Sequence, residues 1–445
     1  MDKQKVLFIC HNHPAVRPGG AEGYAFELFE AMGASEEFSP IFLARTGPPI
    51  STAASPRPRT PLGTLDGAQD QYLLYTDIRQ FDHFHATLRD KTVYTRHLRD
   101  FLLAHRPDVV HFQHTYLLGV DAITEVRNTL PNVPIVYTLH EFLPICHRSG
   151  QMVRTGTNEL CSQESPRRCH ECFPSITPER FFMRKRFIQS HLSHVDVFLA
   201  PSKLLLERYV DWGIPRERIR FEDYGRRPVR RVPEAGVRSR NRFGFFGQLS
   251  FFKGADVLLK AMAILAEEDS DAHLWVHGAN LELQPVDFQE QFIALAEGAQ
   301  THVTLAGRYD QVRMPALMSQ VDWVVVPSVW WENSPLVIQE AFLHGRPVIC
   351  SDIGGMAEKV ADGVSGLHFR SGDPRSLAHA IRTAVETPHL WEELHRGIPP
   401  IYDMEEHVTS LALTYDALVT RRRDGHASDA SARSGEEGHV ARTTV

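Results

Sequence analysis

Residues Trp330–Phe342 read WWENSPLVIQEAF, with Glu332 and Glu340 eight positions apart. The apolar stretch WVVVPS precedes them, and Pro335 suits the first turn of a helix, where a missing N–H is no loss. The pattern therefore predicts a strand, a loop holding Asn333 and Ser334, and a helix beginning near Leu336 and Val337. Free backbone N–H groups at a helix start face anions. A carboxylate at each end of the segment can accept paired hydroxyl donors. An E-x7-E spacing alone is common on solvent-facing helices. The continuous block that follows, QEAF, GRPVI and SDIGG, sets this one apart.

Working outward, short apolar runs alternate with helical patterns. The first half has Val6–Cys10, Pro40–Ala44, Val109–Phe112, Ile135–Leu139 and Val197–Ala200. The second half has Phe243–Gly247, Leu274–Gly278, Val303–Gly307, Trp323–Ser328 and Val348–Ser351. Fully apolar strands between helices indicate parallel sheets covered on both faces. Two such series predict an α/β chain of two Rossmann-like, doubly wound domains. The first domain is expected over 1–223 and the second over 242–400. The arginine- and proline-rich stretch 224–241 is read as the linker, a helix is expected over 401–420, and a disordered tail over 421–445. Thr46–Gly63, rich in Pro, Ser and Thr, reads as a mobile loop.

Composition fits an ordinary enzyme: 445 residues, 42% hydrophobic and 23% charged. A net charge of −7 argues against a general nucleic-acid binder. Val6–Cys10 is too short for the apolar core of a signal peptide, and no run reaches the length of a spanning helix. A cytoplasmic protein is expected, with contact at the inner membrane face as an added expectation. That addition rests on Arg180–Arg186, RFFMRKR, which mixes cations with exposed-type apolar residues and could equally be an ordinary surface helix.

The stretch Phe243 to about Asp373 resembles the family-4 retaining glycosyltransferases of the GT-B fold. FFGQLSFFKG and VVVPSVWWENSPLVIQEAFLHGRPVICSDIGGMAEKVADGVSGLHF carry the resemblance. PGGAE, DVVHFQH, VYTLHEF and APSKLLLERYVDWGIP extend it into the first half. The resemblance implies transfer of a sugar from a nucleotide-sugar donor to a glycan or lipid-linked acceptor, with retained anomeric configuration, in bacterial polysaccharide or glycolipid assembly. It implies that Glu332 holds hydroxyls of the transferred sugar, that Glu340 binds ribose and that Lys253 neutralises the diphosphate. It also implies that Gly19 and Gly20 approach the donor phosphates, that His140 faces the reaction centre, and that the last helix crosses back onto the first domain. Gly247, Gln248, Asn333, Ser334, Leu336 and Val337 complete the expected donor site. Gln248 departs from the family, which usually has arginine there; one phosphate contact is lost or replaced, with Arg308 as a candidate substitute. His111 and His114 stay open between packing and acceptor binding.

No catalytic cofactor is expected, since no D-x-D element falls on a nucleotide-binding loop. A structural zinc is expected at Cys146, Cys161, Cys169 and Cys172, which cluster within the polar insertion 143–173 and end in C-H-E-C; free thiols are the alternative. Cys10 and Cys350 lie in apolar strands and read as core. Competing functions are another GT-B activity, epimerase or phosphorylase, and a nucleotide-sugar-binding scaffold without turnover, which Gln248 favours.

Overall fold

The computed structural model describes residues 3–48, 61–65, 67–231 and 239–440, the last of them from 425 onward as backbone alone. The first domain is built on β1 (Gln4–Cys10), β2 (Phe38–Thr46), β3 (Leu62–Thr64), β4 (Gln71–Tyr75), β7 (Val109–Phe112), β8 (Ile135–Thr138), β9 (Val197–Ala200) and β10 (Ile219–Phe221). A small hairpin, β5 (Phe81–Asp82) and β6 (Thr87–Leu88), stands apart. The sheet order is β10-β9-β8-β7-β1-β2-β4-β3. All neighbours run parallel except β3, which is antiparallel to β4. The second domain holds β11 (Arg242–Gln248), β12 (His273–Ala279), β13 (Val303–Leu305), β14 (Trp323–Val326), β15 (Val348–Ser351) and β16 (Gly366–Phe369). Its order is β13-β12-β11-β14-β15-β16, parallel throughout.

The continuous apolar character of β1, β7, β8, β14 and β15 follows from this arrangement, because helices cover both faces of each sheet. Each sheet reverses its winding once, between β1 and β7 and between β11 and β14. Loops at the C-terminal strand ends beside such a reversal form a crevice. The loops after β1, β7 and β8 therefore meet those after β11 and β14.

The final helix, Met404–Val440, returns to the first domain. Met404, Leu411 and Tyr415 are buried in one cluster with Val6, Phe8, Tyr24 and Phe38. His111 belongs to this packing. Its Nδ1 meets the Tyr415 hydroxyl at 2.7 Å and its Nε2 the Thr138 hydroxyl at 2.7 Å, so it is a satisfied core residue rather than an acceptor-site group.

Other expectations change. Where a disordered tail was expected from 421, helical backbone runs on to Val440. The anchored turns before it have already met the unfavourable nucleation step, and extension adds one hydrogen bond per residue. Residues 441–445 lie outside the described residues. So do 49–60 of the expected loop, whose far end forms β3, and 232–238 of the expected linker. The linker's beginning is not loose: Arg226 N–H donates to Tyr402 O (2.9 Å), and Met404 N–H donates to Arg226 O (3.1 Å). Within the RFFMRKR helix (Pro178–Leu192), Phe182 and Met183 are exposed, but Arg184 is buried. Its guanidinium donates to the carbonyls of Phe84, Pro144 and Leu143 at 2.7–2.9 Å, clamping the insertion onto the first domain.

Candidate active site

After β14 the chain turns through Ser328 and Trp330 to Glu332, and the helix Leu336–Leu343 begins one residue after Pro335, which caps it. Glu332 is almost fully buried, and its Oε1 accepts from Lys253 Nζ (2.6 Å), Ser328 Oγ (2.8 Å) and Trp330 Nε1 (2.8 Å). Lys253 comes from the loop after β11. Gly254 makes this approach possible. Its φ is +66°, and a Cβ there would lie 1.9 Å from the Pro327 carbonyl oxygen. The block SDIGG backs the same loop. Gly355 N–H donates to Glu332 O at 2.7 Å, and a Cβ on Gly355 would sit 1.4 Å from Asn333 O. That close packing is the physical reason for two consecutive glycines here.

Glu340 is also buried, deeper along the helix. Gln311 donates to its Oε1, and Arg226 Nη2 stands at 3.4 Å. Burial pushes its carboxyl up to about 7, against the opposing pull of Arg226 and Gln311. Val337 packs on the second-domain core. Gln248 ends β11, exposed and paired in register with Ala279, and Gly247 precedes it. Arg308 does not take the place of the missing arginine. It donates to Asn280 Oδ1 at 3.3 Å and faces Glu282 on the surface.

Asn333, Ser334 and Leu336, expected on the donor, face the first domain instead. Asn333 Nδ2 donates to His140 O (2.5 Å), and Ser334 Oγ donates to Asp223 Oδ1 (3.1 Å), a carboxylate that also pairs with Lys359 (2.6 Å). Gly20 lies opposite Leu336, whose Cδ1 would be 3.6 Å from a Cβ there. These residues form the seam of a closed cleft, and their chemistry is spent on the opposite domain.

His140 closes the other side. Its Nδ1 meets Tyr224 Oη at 2.5 Å and its Nε2 meets Gln113 Oε1 at 3.0 Å. Burial, together with the neighbouring His11 charge, lowers its pKa to about 3, so the ring is neutral. An ion pair escaped the sequence reading: His11 Nε2 lies 3.1 Å from Glu22 Oε1. Burial opposes both charges. Cys10 and Glu22 nonetheless carry His11 up to about 10, and His11 and Asn12 hold Glu22 near 2. Glu22 folds back over the glycine loop, 2.4 Å from where a Gly19 Cβ would be, so Gly19 makes room for that carboxylate. Glu141 was also missed. It is driven up to about 8 by burial, and His114, 3.5 Å from it, is held well below its ordinary value by burial and by His11 and His140. The available signal was position: His11, His114 and Glu141 lie one to three residues beyond the ends of β1, β7 and β8.

The insertion reaches the second domain, where Trp331 Nε1 donates to Cys161 O at 3.0 Å. Its cysteines do not fit the expected zinc site. Among the described residues no three His, Cys, Asp or Glu side chains stand in a metal-holding arrangement. Cys146 and Cys161 pack half-buried against the first-domain core, and Cys161 Sγ donates to Gln163 O. Burial drives the Cys169 thiol up to about 12, and that of Cys146 upward as well.

Residues 18–221 match the family model described as Glycosyltransferase Family 4, and residues 240–387 match the model described as Glycosyl transferases group 1. Each domain thus matches a glycosyltransferase family model. The chain is similar to the D-inositol 3-phosphate glycosyltransferase of Corynebacterium diphtheriae, at 26% identity over 63% of each chain. It also matches the protein of the same name from Corynebacterium glutamicum, at 32% identity over 32% of this chain and 34% of the relative. The chain thus spans roughly one third to just under two thirds of the length of these relatives. Among solved structures, Anabaena HepE in complex with UDP and glucose superposes with a TM-score of 0.63 at 18% identity, over 93% of this chain and 99% of the other. The fold of the two domains is GT-B.

Proposed function

We propose that the protein is a retaining glycosyltransferase that moves a sugar, a hexose in the first instance, from a nucleoside-diphosphate sugar to a glycan or lipid-linked acceptor. The observation that carries this is the Lys253–Glu332 pair just before the helix Leu336–Leu343, next to Asn333, which holds the carbonyl of His140 from across the cleft. A nucleotide entering the cleft meets Glu340 with its ribose. Its diphosphate lies between Lys253 and the helix start, where cation and backbone N–H groups take up the charge of the leaving group. Glu332 then turns a carboxylate oxygen to the sugar hydroxyls. The bond from the anomeric carbon to the diphosphate oxygen breaks, and the bond to the acceptor oxygen forms on the same face. The acceptor proton passes to the departing phosphate oxygen. The names of the relatives favour an inositol phosphate as acceptor. Exposed Phe182 and Met183, flanked by Arg180 and Arg186, are the part of the surface suited to an anionic leaflet.

Gln248 favours a second reading, a donor-binding scaffold without turnover, because Arg308, the candidate substitute for the missing arginine, is turned to Asn280 and Glu282. Incubation with radiolabelled nucleotide sugars and an acceptor panel decides between them. Transfer with an α-linked product from an α-linked donor, read by the anomeric proton coupling, supports the enzyme. Saturable donor binding with neither transfer nor hydrolysis supports the scaffold.

A further inference from the structure

A cavity of about 380 Å³ lies away from the donor cleft, at the point where the chain crosses between domains. Both crossings meet there: Arg226 of the first pairs with Asp403 of the second as a short parallel bridge. The floor is apolar, with Phe342 and Ile401, and the rim carries Arg226, Arg231 and His395, against one acid, Asp403. A cavity of this size suits a small organic molecule.

The polar groups of the rim are incompletely used. Arg226 is 8% exposed, and its Nε is buried with no partner. Its two terminal nitrogens make only long contacts, 3.5 Å to Glu27 and 3.4 Å to Glu340. A buried guanidinium N–H without an acceptor carries an unrecovered desolvation cost. Arg231 donates from Nε and Nη2 to the carbonyls of Leu343 and Phe342, at 2.8 and 3.5 Å. Its Nη1 would stand 3.1 Å from a Cβ on Gly345, and His395 Cε1 2.7 Å from it. Gly345, with φ +69°, therefore leaves the space in which guanidinium and imidazole come together. His395 Nδ1 donates to Gly345 O at 2.7 Å, so the second ring nitrogen, Nε2, offers an N–H to an anion in the cavity when the ring is protonated. The local potential is positive: His344 nearby is lowered to about 4 by burial and then by Arg346 and Arg231.

We infer that this cavity at the crossing binds a small organic anion, an oxyanion head on an apolar body, the head between Arg226, Arg231 and His395 and the body on Phe342 and Ile401. Because Arg226 also touches Glu340, an occupant that draws the guanidinium toward the cavity loosens its hold on that carboxylate. The cavity then reports to the donor cleft. That coupling rests on the donor reading given above; the binding itself does not.

The test is titration calorimetry on the full chain with inorganic phosphate, hexyl phosphate and hexanoate, the last two separating a phosphate from a carboxylate head. At least one amphiphile is expected to bind ten-fold or more tighter than inorganic phosphate. That binding should persist in Lys253→Ala, which removes the donor-cleft cation, and fall at least ten-fold in Arg231→Gln, an exposed position, and in Ile401→Trp, which fills the cavity. Binding lost in Lys253→Ala but unchanged in Arg231→Gln would place the ligand in the donor cleft and overturn the inference, as would no gain from either apolar body. For the coupling, saturating amphiphile is expected to shift the nucleoside diphosphate Kd at least three-fold. An unchanged Kd with the amphiphile bound refutes the coupling alone.

Discussion

Replacing Glu340 by glutamine should make the empty protein more stable at pH 8 while weakening its hold on nucleotide. The Glu340 carboxyl is carried from its ordinary 4.5 to about 7, with burial as the largest cause. That gap corresponds to about 3 kcal/mol between the two protonation states. The folded protein holds this proton more tightly than the unfolded chain. The group's contribution is therefore fully present below pH 4.5 and is lost as pH rises through 7. Glutamine has nearly the same shape, stays neutral and keeps a carbonyl for Gln311. It leaves Arg226 with one carboxylate fewer, returning roughly 1–2 kcal/mol of the gain. The net expectation at pH 8 is a stabilisation of about 1–2 kcal/mol, a rise of a few degrees in Tm for a chain of this size. At pH 5 the gain disappears. Thermal unfolding at both pH values reads this directly. The same variant should bind nucleoside diphosphate at least ten-fold more weakly, and wild-type affinity should fall as pH drops below 7, because a protonated carboxyl no longer accepts from two hydroxyls. A Glu340→Gln protein destabilised equally at pH 5 and pH 8 would refute the reasoning, since Glu340 would then act through its hydrogen bonds rather than through a buried charge.

Lys253→Ala should lower kcat by about two to three orders of magnitude, the range for losing a charge-stabilising group; a kcat within three-fold of wild type speaks against its role. Gly254→Ala forces a Cβ to 1.9 Å from Pro327 O at a positive φ, and should destabilise the second domain by about 2–4 kcal/mol in chemical denaturation; an unchanged midpoint contradicts the tight approach. Glu22→Ala leaves a charged His11 buried without its partner and should destabilise by about 3 kcal/mol near neutral pH. The pair's contribution should be greatest between pH 4.5 and 6.5. It fades below as Glu22 protonates toward 2 and above as His11 deprotonates toward 10. A stability difference that is flat from pH 3 to 9 excludes the ion pair.

The strands at the heart of each sheet were legible because burial on both faces leaves an uninterrupted apolar run. Besides the hairpin β5–β6, the strands missed, β3, β4, β10 and β16, lie toward sheet edges and are short or only partly buried, which weakens the apolar run that marks a strand. Glu332 and Lys253 meet within one domain, at loops that the local motifs mark. The contacts of Asn333 and Ser334 were not legible for the opposite reason: their partners, His140 and Asp223, belong to the other domain, and no local pattern encodes a distance across a cleft. His11 and Glu22 form their pair through a loop closure that spacing alone does not reveal. Arg184 looked like a surface cation because its neighbours are, yet the carbonyls it gathers come from two distant loops.

The return of the last helix also fixes an order of events. Tyr415 and Leu411 belong to the same core as Val6 and Phe8, so the first domain is the earliest to leave the ribosome and the last to be finished. Until the C-terminal end of the chain is released, one face of its sheet, with the polar edge of His111, waits without its cover. That face stays bare for the whole time the second domain is being made, and a truncation that removes the last helix while sparing every residue of the donor cleft still leaves the opposite domain incomplete.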